Sequence, residues 1–179
     1  MFGLLFGLAA AVANPAVPGP YVAFGPSHAS ECSAAAQSRS EEAGVRASCD
    51  LALAGTLTDQ ERVATLVNRG ALALLTGDTR AAEIDFDAAI TLAPAQSEAW
   101  LNKALSLQSL GASEAAIASF NRAMALGTTH PELALLGRGL AHEASGNLRA
   151  AYADLVQARS LAPAWQAPKA ELARYQVKR

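Results

Sequence analysis

The chain has 179 residues, a formal net charge of −2, and a composition that is 51% hydrophobic but only 6% aromatic. This length fits one domain, or one domain with a targeting segment. The weakly acidic balance argues against a nucleic-acid partner, because nucleic-acid-binding surfaces are usually strongly basic. Alanine supplies much of the apolar content, and the many strong helix formers favour an all-α fold with closely approaching helices.

The first element is a twelve-residue apolar run at positions 2–13. A helix of this length reaches roughly 18 Å, which is too short for a bilayer core of about 30 Å. It suits a secretory signal, and Ala11-Val12-Ala13 offers a cleavage site. No Lys or Arg precedes the run, so either the signal is atypical or the true start lies upstream of Met1. A buried N-terminal helix is the alternative to a signal. We expect a signal peptide at 1–13, a periplasmic or secreted protein, and no stable membrane span after cleavage.

Residues 14–30 contain four prolines and two glycines. This density opposes helix formation, because proline removes a backbone donor and clashes with the preceding turn. We expect an extended linker, with residues 21–24 lying against the first helices.

Cys32 and Cys49, seventeen positions apart, are the only cysteines. Two short helices at 31–38 and 44–54 would form a hairpin that can bring the sulfurs within bridging range. An intramolecular disulfide is favoured if the chain is secreted. Two free buried thiols are the alternative. A redox or metal site has less support, because the sequence has no C-x-x-C and no histidine at ligand spacing.

A regular pattern of small and bulky residues begins at Val63. With Val63 as position 1, the pattern residues are Gly70 (8), Gly77 (15), Ala82 (20), Phe86 (24), Ala89 (27) and Pro94 (32). Small residues at 8, 20 and 27 let two antiparallel helices approach closely, position 24 fills the space between them, and proline ends the second helix. The pattern resembles the tetratricopeptide (TPR) repeat, which implies a helical scaffold for protein–protein interaction.

The pattern recurs twice more. The second copy has Trp100 (4), Ala104 (8), Gly111 (15), Ala116 (20), Phe120 (24) and Ala123 (27), and the third has Gly139 (8), Gly146 (15), Ala151 (20), Leu155 (24), Ala158 (27) and Pro163 (32). One residue is inserted between these copies, where Thr128 replaces the proline. The predicted organisation is a signal peptide (1–13), a linker (14–30), a hairpin cap (31–57), three repeats (58–96, 97–131 and 132–165) and a capping helix (166–179).

The predicted fold is therefore a short right-handed all-α solenoid. Thr58 and Glu61 form a capping box that opens the first repeat helix. Three repeats are about the minimum for a stable stack, so both ends need covers. The cysteine hairpin would cover one end. A helix at 164–177, with Trp165, Leu172 and Tyr175, would cover the other.

The cysteine hairpin followed by the sequence at 59–70 resembles the N-terminal part of alphaproteobacterial envelope TPR proteins. This resemblance implies an envelope location for the chain.

The TPR resemblance also implies a peptide-binding site, because groove-facing positions in the family are roughly 2, 5, 6, 9 and 12. The predicted site residues are Asn68, Asn102, Val67, Leu101, Leu105, Leu136 and Leu140. Asparagine at position 6 of related proteins holds a peptide backbone, and its amide can both donate and accept. The third repeat has Gly137 at this position, so the asparagine series covers only part of the groove. These asparagines could instead be solvated or bonded within the stack.

Basic residues are absent from the mapped groove positions, so the clamp that holds C-terminal carboxylates in co-chaperone TPRs is not expected. Arg69, Lys103 and Arg138 recur at position 7. We predict that they are solvated charges at the edge of the stack.

The sequence shows no catalytic motif, and His28, His130 and His142 are dispersed along the chain. We therefore expect no enzyme activity, cofactor or metal. The leading hypothesis is an adaptor that binds a protein or peptide partner in the groove. The alternative is a self-associating structural envelope protein, whose groove is filled by its own N-terminal segment or by another copy.

Overall fold

A computed structural model describes residues 28–39 and 45–175. These residues form nine α-helices and no strand: α1 His28–Gln37, α2 Val45–Ala54, α3 Asp59–Leu75, α4 Thr79–Leu92, α5 Ser97–Ser109, α6 Ser113–Ala125, α7 Pro131–Ala144, α8 Leu148–Leu161 and α9 Gln166–Ala173. The predicted all-α solenoid is confirmed. The predicted signal peptide and linker residues 14–27 lie outside the described residues.

The helices are arranged as consecutive hairpins. The pairs α1–α2, α3–α4, α5–α6 and α7–α8 each pack together, while α4 contacts α5, α6 contacts α7 and α9 covers α8. The first helices of neighbouring hairpins also touch, α1 with α3, α3 with α5 and α5 with α7. This nearest-neighbour pattern is that of a solenoid, in which each unit is stabilised by the units beside it.

Local sequence signals define the helix ends. The predicted capping box is present: the Thr58 amide donates to Glu61 Oε2 at 2.9 Å, and the Glu61 amide donates to Thr58 Oγ1 at 3.3 Å. The turn between the two helices of a repeat carries glycine at position 15, with φ of 79° at Gly77 and 83° at Gly146. A side chain would be strained in this left-handed conformation, which explains the glycine.

The aromatic residue at position 24 is fully buried in the first two repeats. A Cβ atom added to Gly70 would lie 2.6 Å from the Phe86 ring, and one added to Gly137 would lie 2.3 Å from the Phe120 ring. Helices α3 and α7, which carry these glycines, therefore approach the two rings as closely as a residue without a side chain allows. The core is built from close backbone approach around a few large side chains.

The N-terminal hairpin packs against α3 through both of its helices. The structure places the Cys32 and Cys49 sulfurs 2.11 Å apart, at bonding distance, with their Cα atoms 4.8 Å apart. Helix α1 starts at His28, within the stretch that was predicted to be the linker. The last proline of that stretch is Pro26, so nothing after it opposes a helix.

The C-terminal end is covered by α9 and its flanking residues. Trp165 is buried, and Leu172 and Tyr175 pack against the same apolar cluster. The helix spans 166–173 and is shorter than the predicted 164–177, since Trp165 occupies its N-cap position. Arg174 ties this end to α7 by donating to Glu143 Oε1 at 2.7 Å.

Candidate functional site

The predicted groove residues lie on the three neighbouring first helices α3, α5 and α7. Five of them are buried: Val67, Asn68, Leu101, Asn102 and Leu136. Leu105 and Leu140 are half-buried and pack against the apolar cluster that contains Leu101 and Leu136. Val67 belongs to a separate cluster around α3 and α4. The structure thus brings the four leucines together and keeps Val67 apart.

Asn102 is a polar residue in an unusual environment. Its side chain is 0% exposed, and neither Oδ1 nor Nδ2 has a hydrogen-bond partner in the part of the chain that the structure describes. A buried polar group left unpaired costs about 1–3 kcal/mol. An amide can donate to a carbonyl and accept from an N–H at once. Asn102 therefore carries unused capacity both to donate and to accept a hydrogen bond.

Asn68 occupies the equivalent position on α3 and is 1% exposed. At the third equivalent position, Gly137, the ring of Phe120 leaves no room for a Cβ atom. Packing against α6 thus explains why the asparagine series stops after two repeats. The two amides are separated by one repeat, 34 residues along the chain.

Arg69 and Arg138 form ion pairs with buried carboxylates, so the prediction of solvated edge charges was wrong for these two residues. Arg69 donates to Asp85 through Nε at 2.8 Å and Nη2 at 2.6 Å, and to Asp50 at 2.7 Å. The hydrogen bonds to Asp85 raise the pKa of Arg69. Arg69 therefore joins both helices of its own repeat to the N-terminal hairpin.

The third repeat carries the same arrangement. Arg138 donates to Asp154 at 2.7 and 2.6 Å and to Asn121 of the preceding repeat at 2.5 Å. In the second repeat Lys103 pairs with Asp87 of the first repeat instead. The sequence signal was an arginine followed sixteen residues later by an aspartate in the first and third repeats. Ser119 stands at the aspartate position of the second repeat.

A cleft of about 530 Å³ opens in the first repeat, where α3 begins and α4 ends. Its apolar lining comes from Val63, Ala64, Leu92 and Ala93. Asp59, Gln60 and Gln96 add polar groups to it. None of these residues was among the predicted site residues, although Ala64 stands at position 2, which the TPR resemblance places in the groove.

The histidines are dispersed in the structure as well. His28 lies at the exposed start of α1, and His130 precedes α7 with its Nδ1 3.3 Å from Glu132 Oε1. Within residues 28–39 and 45–175, no group of three His, Cys, Asp or Glu side chains could hold a metal ion.

The nine described helices include none with both the length and the apolar character needed to cross a membrane.

Comparisons with known proteins agree with this geometry. Residues 97–126 match the family model described as "Tetratricopeptide repeat". Among solved structures, 26 chains match; one is the Arabidopsis OM64 TPR domain, with 24% sequence identity, a TM-score of 0.62, and coverage of 65% of this chain and 96% of that one. A search of curated proteins found no match. The fold is thus that of a TPR-type helical solenoid.

Proposed function

We propose that the chain is a non-enzymatic scaffold that binds an extended protein segment across α3, α5 and α7. The observation that carries the proposal is the buried, unpaired amide of Asn102. Within the described residues it is the polar group on this surface best suited to an incoming backbone. The TPR repeat at 97–126 and the solenoid fold support the same function.

In this proposal Asn102 pairs with a C=O and an N–H of the bound segment, and Asn68 supports the same segment one repeat away. Leu101, Leu105, Leu136 and Leu140 contribute apolar area, with Val67 at the far end. Because Asn102 has no exposed surface, the atoms that cover it must move before a partner can reach the amide. Binding therefore includes a local rearrangement, which slows association.

The burial of five predicted groove residues favours a second candidate. The groove contacts could be made by the chain's own N-terminal segment or by another copy, as in a self-associating structural protein. Sedimentation of the full chain separates these cases, since a dimer that persists on dilution indicates another copy. If the chain sediments as a monomer, two explanations remain, an external partner and the chain's own N-terminal segment. The capture experiment below separates them.

Affinity capture tests the leading proposal. The double variant Asn102→Ala/Leu105→Ala should recover less partner protein than the wild type from an envelope extract. A matched control is Gln157→Ala/Leu148→Ala, which removes an amide and a leucine from exposed positions on α8. Unchanged capture by the groove variant would show that the partner binds elsewhere.

We also propose that the protein acts outside the cytoplasm, with Cys32 and Cys49 joined as a disulfide. Two observations support this: the sulfurs lie at bonding distance, and the apolar run at 2–13 suits a secretory signal. Such a bond would lock the hairpin that covers the first repeat.

A further inference from the structure

The other two repeats make packing or hydrogen-bond contacts at the place where the first repeat has its cleft. In the third repeat the residue at position 34 is Trp165, which is 5% exposed and packs in one cluster with Leu133 at position 2. Ala162 at position 31 packs against the same cluster. An aromatic side chain therefore closes this place in the third repeat.

The second repeat closes the same place with polar groups. Glu98, at position 2, accepts hydrogen bonds from the Thr129 amide at 3.2 Å and from the Thr129 hydroxyl at 3.1 Å. Thr129 lies in the connection that contains the inserted residue. These bonds draw the end of the second repeat onto the start of its first helix.

The first repeat has neither closure. Position 2 is Ala64, which is too short to reach the connection, and position 34 is Gln96, where the third repeat has tryptophan. The result is a cleft of about 530 Å³ with an apolar lining and polar groups beside it. By comparison with Trp165, the chemical class that fits is an aromatic side chain.

We propose that the cleft binds Phe24 of the chain's own N-terminal segment. Four of the chain's aromatic residues precede the described helices: Phe2, Phe6, Tyr21 and Phe24. Phe24 is the nearest to α1, four residues before His28. Phe2 and Phe6 belong to the predicted signal peptide.

Helix α1 packs beside α3, whose first turn contributes to the cleft. Cys32 Sγ is 3.9 Å from the Thr65 carbonyl oxygen, and Ala36 packs with Leu72, so α1 runs alongside α3 in the same direction. His28 therefore lies beside the first turn of α3, which contributes Asp59 and Gln60 to the cleft. Four extended residues span at most about 14 Å, and packed helices lie about 8–10 Å apart. The four residues before His28 are thus long enough to extend from α1 past the axis of α3, and the aromatic side chain adds to this reach.

The test is a photo-crosslink in the full chain, with Phe24 replaced by p-benzoylphenylalanine. Irradiation should join position 24 to Val63, Ala64 or Leu92 within one molecule, as mapped by mass spectrometry. The variant Gln96→Trp, which copies the closure of the third repeat, should abolish this crosslink. The control Gln157→Trp makes the same exchange at an exposed position of α8 and should leave it intact.

Other results would overturn the proposal. These are no crosslink, a crosslink to the groove leucines, a crosslink between two chains, or a cleft crosslink that survives in a folded Gln96→Trp variant. If circular dichroism shows that Gln96→Trp does not fold, the variant Ala64→Leu is used in its place, because it narrows the cleft from the opposite side. The proposal does not depend on a peptide binding to Asn102, so capture experiments on the groove can fail without affecting it.

Discussion

Arg69 and Asp85 form a two-pronged ion pair between the two helices of the first repeat, with N–O distances of 2.8 and 2.6 Å. The Asp85 side chain is 4% exposed, so its carboxylate depends on the guanidinium for most of its charge compensation. Arg138 and Asp154 repeat the arrangement in the third repeat. A guanidinium fork suits such buried carboxylates because it donates two parallel hydrogen bonds.

Replacing Arg69 by methionine should lower the free energy of unfolding by about 3–5 kcal/mol, because it leaves a buried charge without a partner. Urea unfolding measures this change. The control is Lys103→Met, since its partner Asp87 is 52% exposed, and loss of such a pair costs at most about 1 kcal/mol. Equal effects of the two substitutions would contradict the structural role given to Arg69.

Gly137→Ala should destabilise the protein by about 1–3 kcal/mol through overpacking. The added methyl would lie 2.3 Å from the Phe120 ring, which is fully buried. Shortening the ring in Gly137→Ala/Phe120→Leu should recover part of the loss, so a double-mutant cycle should show coupling between the two sites. Additive effects would mean that the Phe120 ring is not the reason why glycine is required at position 137.

Acidification should weaken the fold through His130. Burial lowers the pKa of His130 below its ordinary 6.5, although Glu132 and Glu98 act in the opposite direction. At a pH between the folded and unfolded pKa values of His130, the unfolded chain binds more protons than the folded one. The contribution of His130 to stability is therefore fully present above pH 6.5 and is lost as the pH falls below 6.5. His130→Gln should flatten this part of the stability curve. An unchanged slope just below pH 6.5 would exclude His130 as its source.

Glu98 provides an internal reference for that measurement. Burial alone would raise the pKa of its carboxyl, but hydrogen bonds from Ser97 and Thr129 hold it below 4.5. Its contribution is lost only as the pH falls below 4.5 toward the folded-state value. The wild type and the His130→Gln variant should therefore both lose stability a second time, below pH 4.5, as Glu98 becomes protonated.

The Cys32–Cys49 pairing predicts a mass two hydrogens lower than that of the dithiol form, measured by mass spectrometry on the non-reduced protein. Cys32→Ser/Cys49→Ser should lose about 3 kcal/mol of stability, as the chain-entropy model gives for a loop of this size. Recovery of two free thiols would contradict the pairing and would also weaken the proposed extracytoplasmic location.

Much of the fold was readable from the sequence because the repeat pattern reports backbone spacing. Small residues such as Gly70 and a buried ring such as Phe86 recur wherever two helices approach closely. The capping box at Thr58 was likewise predictable, because it is a local contact within four residues. The hairpin arrangement followed from these signals.

The environment of the predicted site could not be read in the same way. The charge at Arg69 looked like a surface charge, because the sixteen-residue spacing to Asp85 does not by itself show that the two side chains are buried against each other. Gly137 looked like a missing asparagine, yet it is required by a ring from the preceding repeat. The burial of Asn102 depends on contacts distant in sequence, which periodicity does not reveal.

The most direct test of the scaffold proposal is Asn102→Leu, measured in two ways. Removing a buried, unpaired amide should leave the free energy of unfolding unchanged or raise it by about 1–3 kcal/mol. The same substitution should reduce recovery of partner protein in affinity capture. A variant that is destabilised and captures the same proteins in the same amounts would contradict the account, because Asn102 would then serve the fold alone.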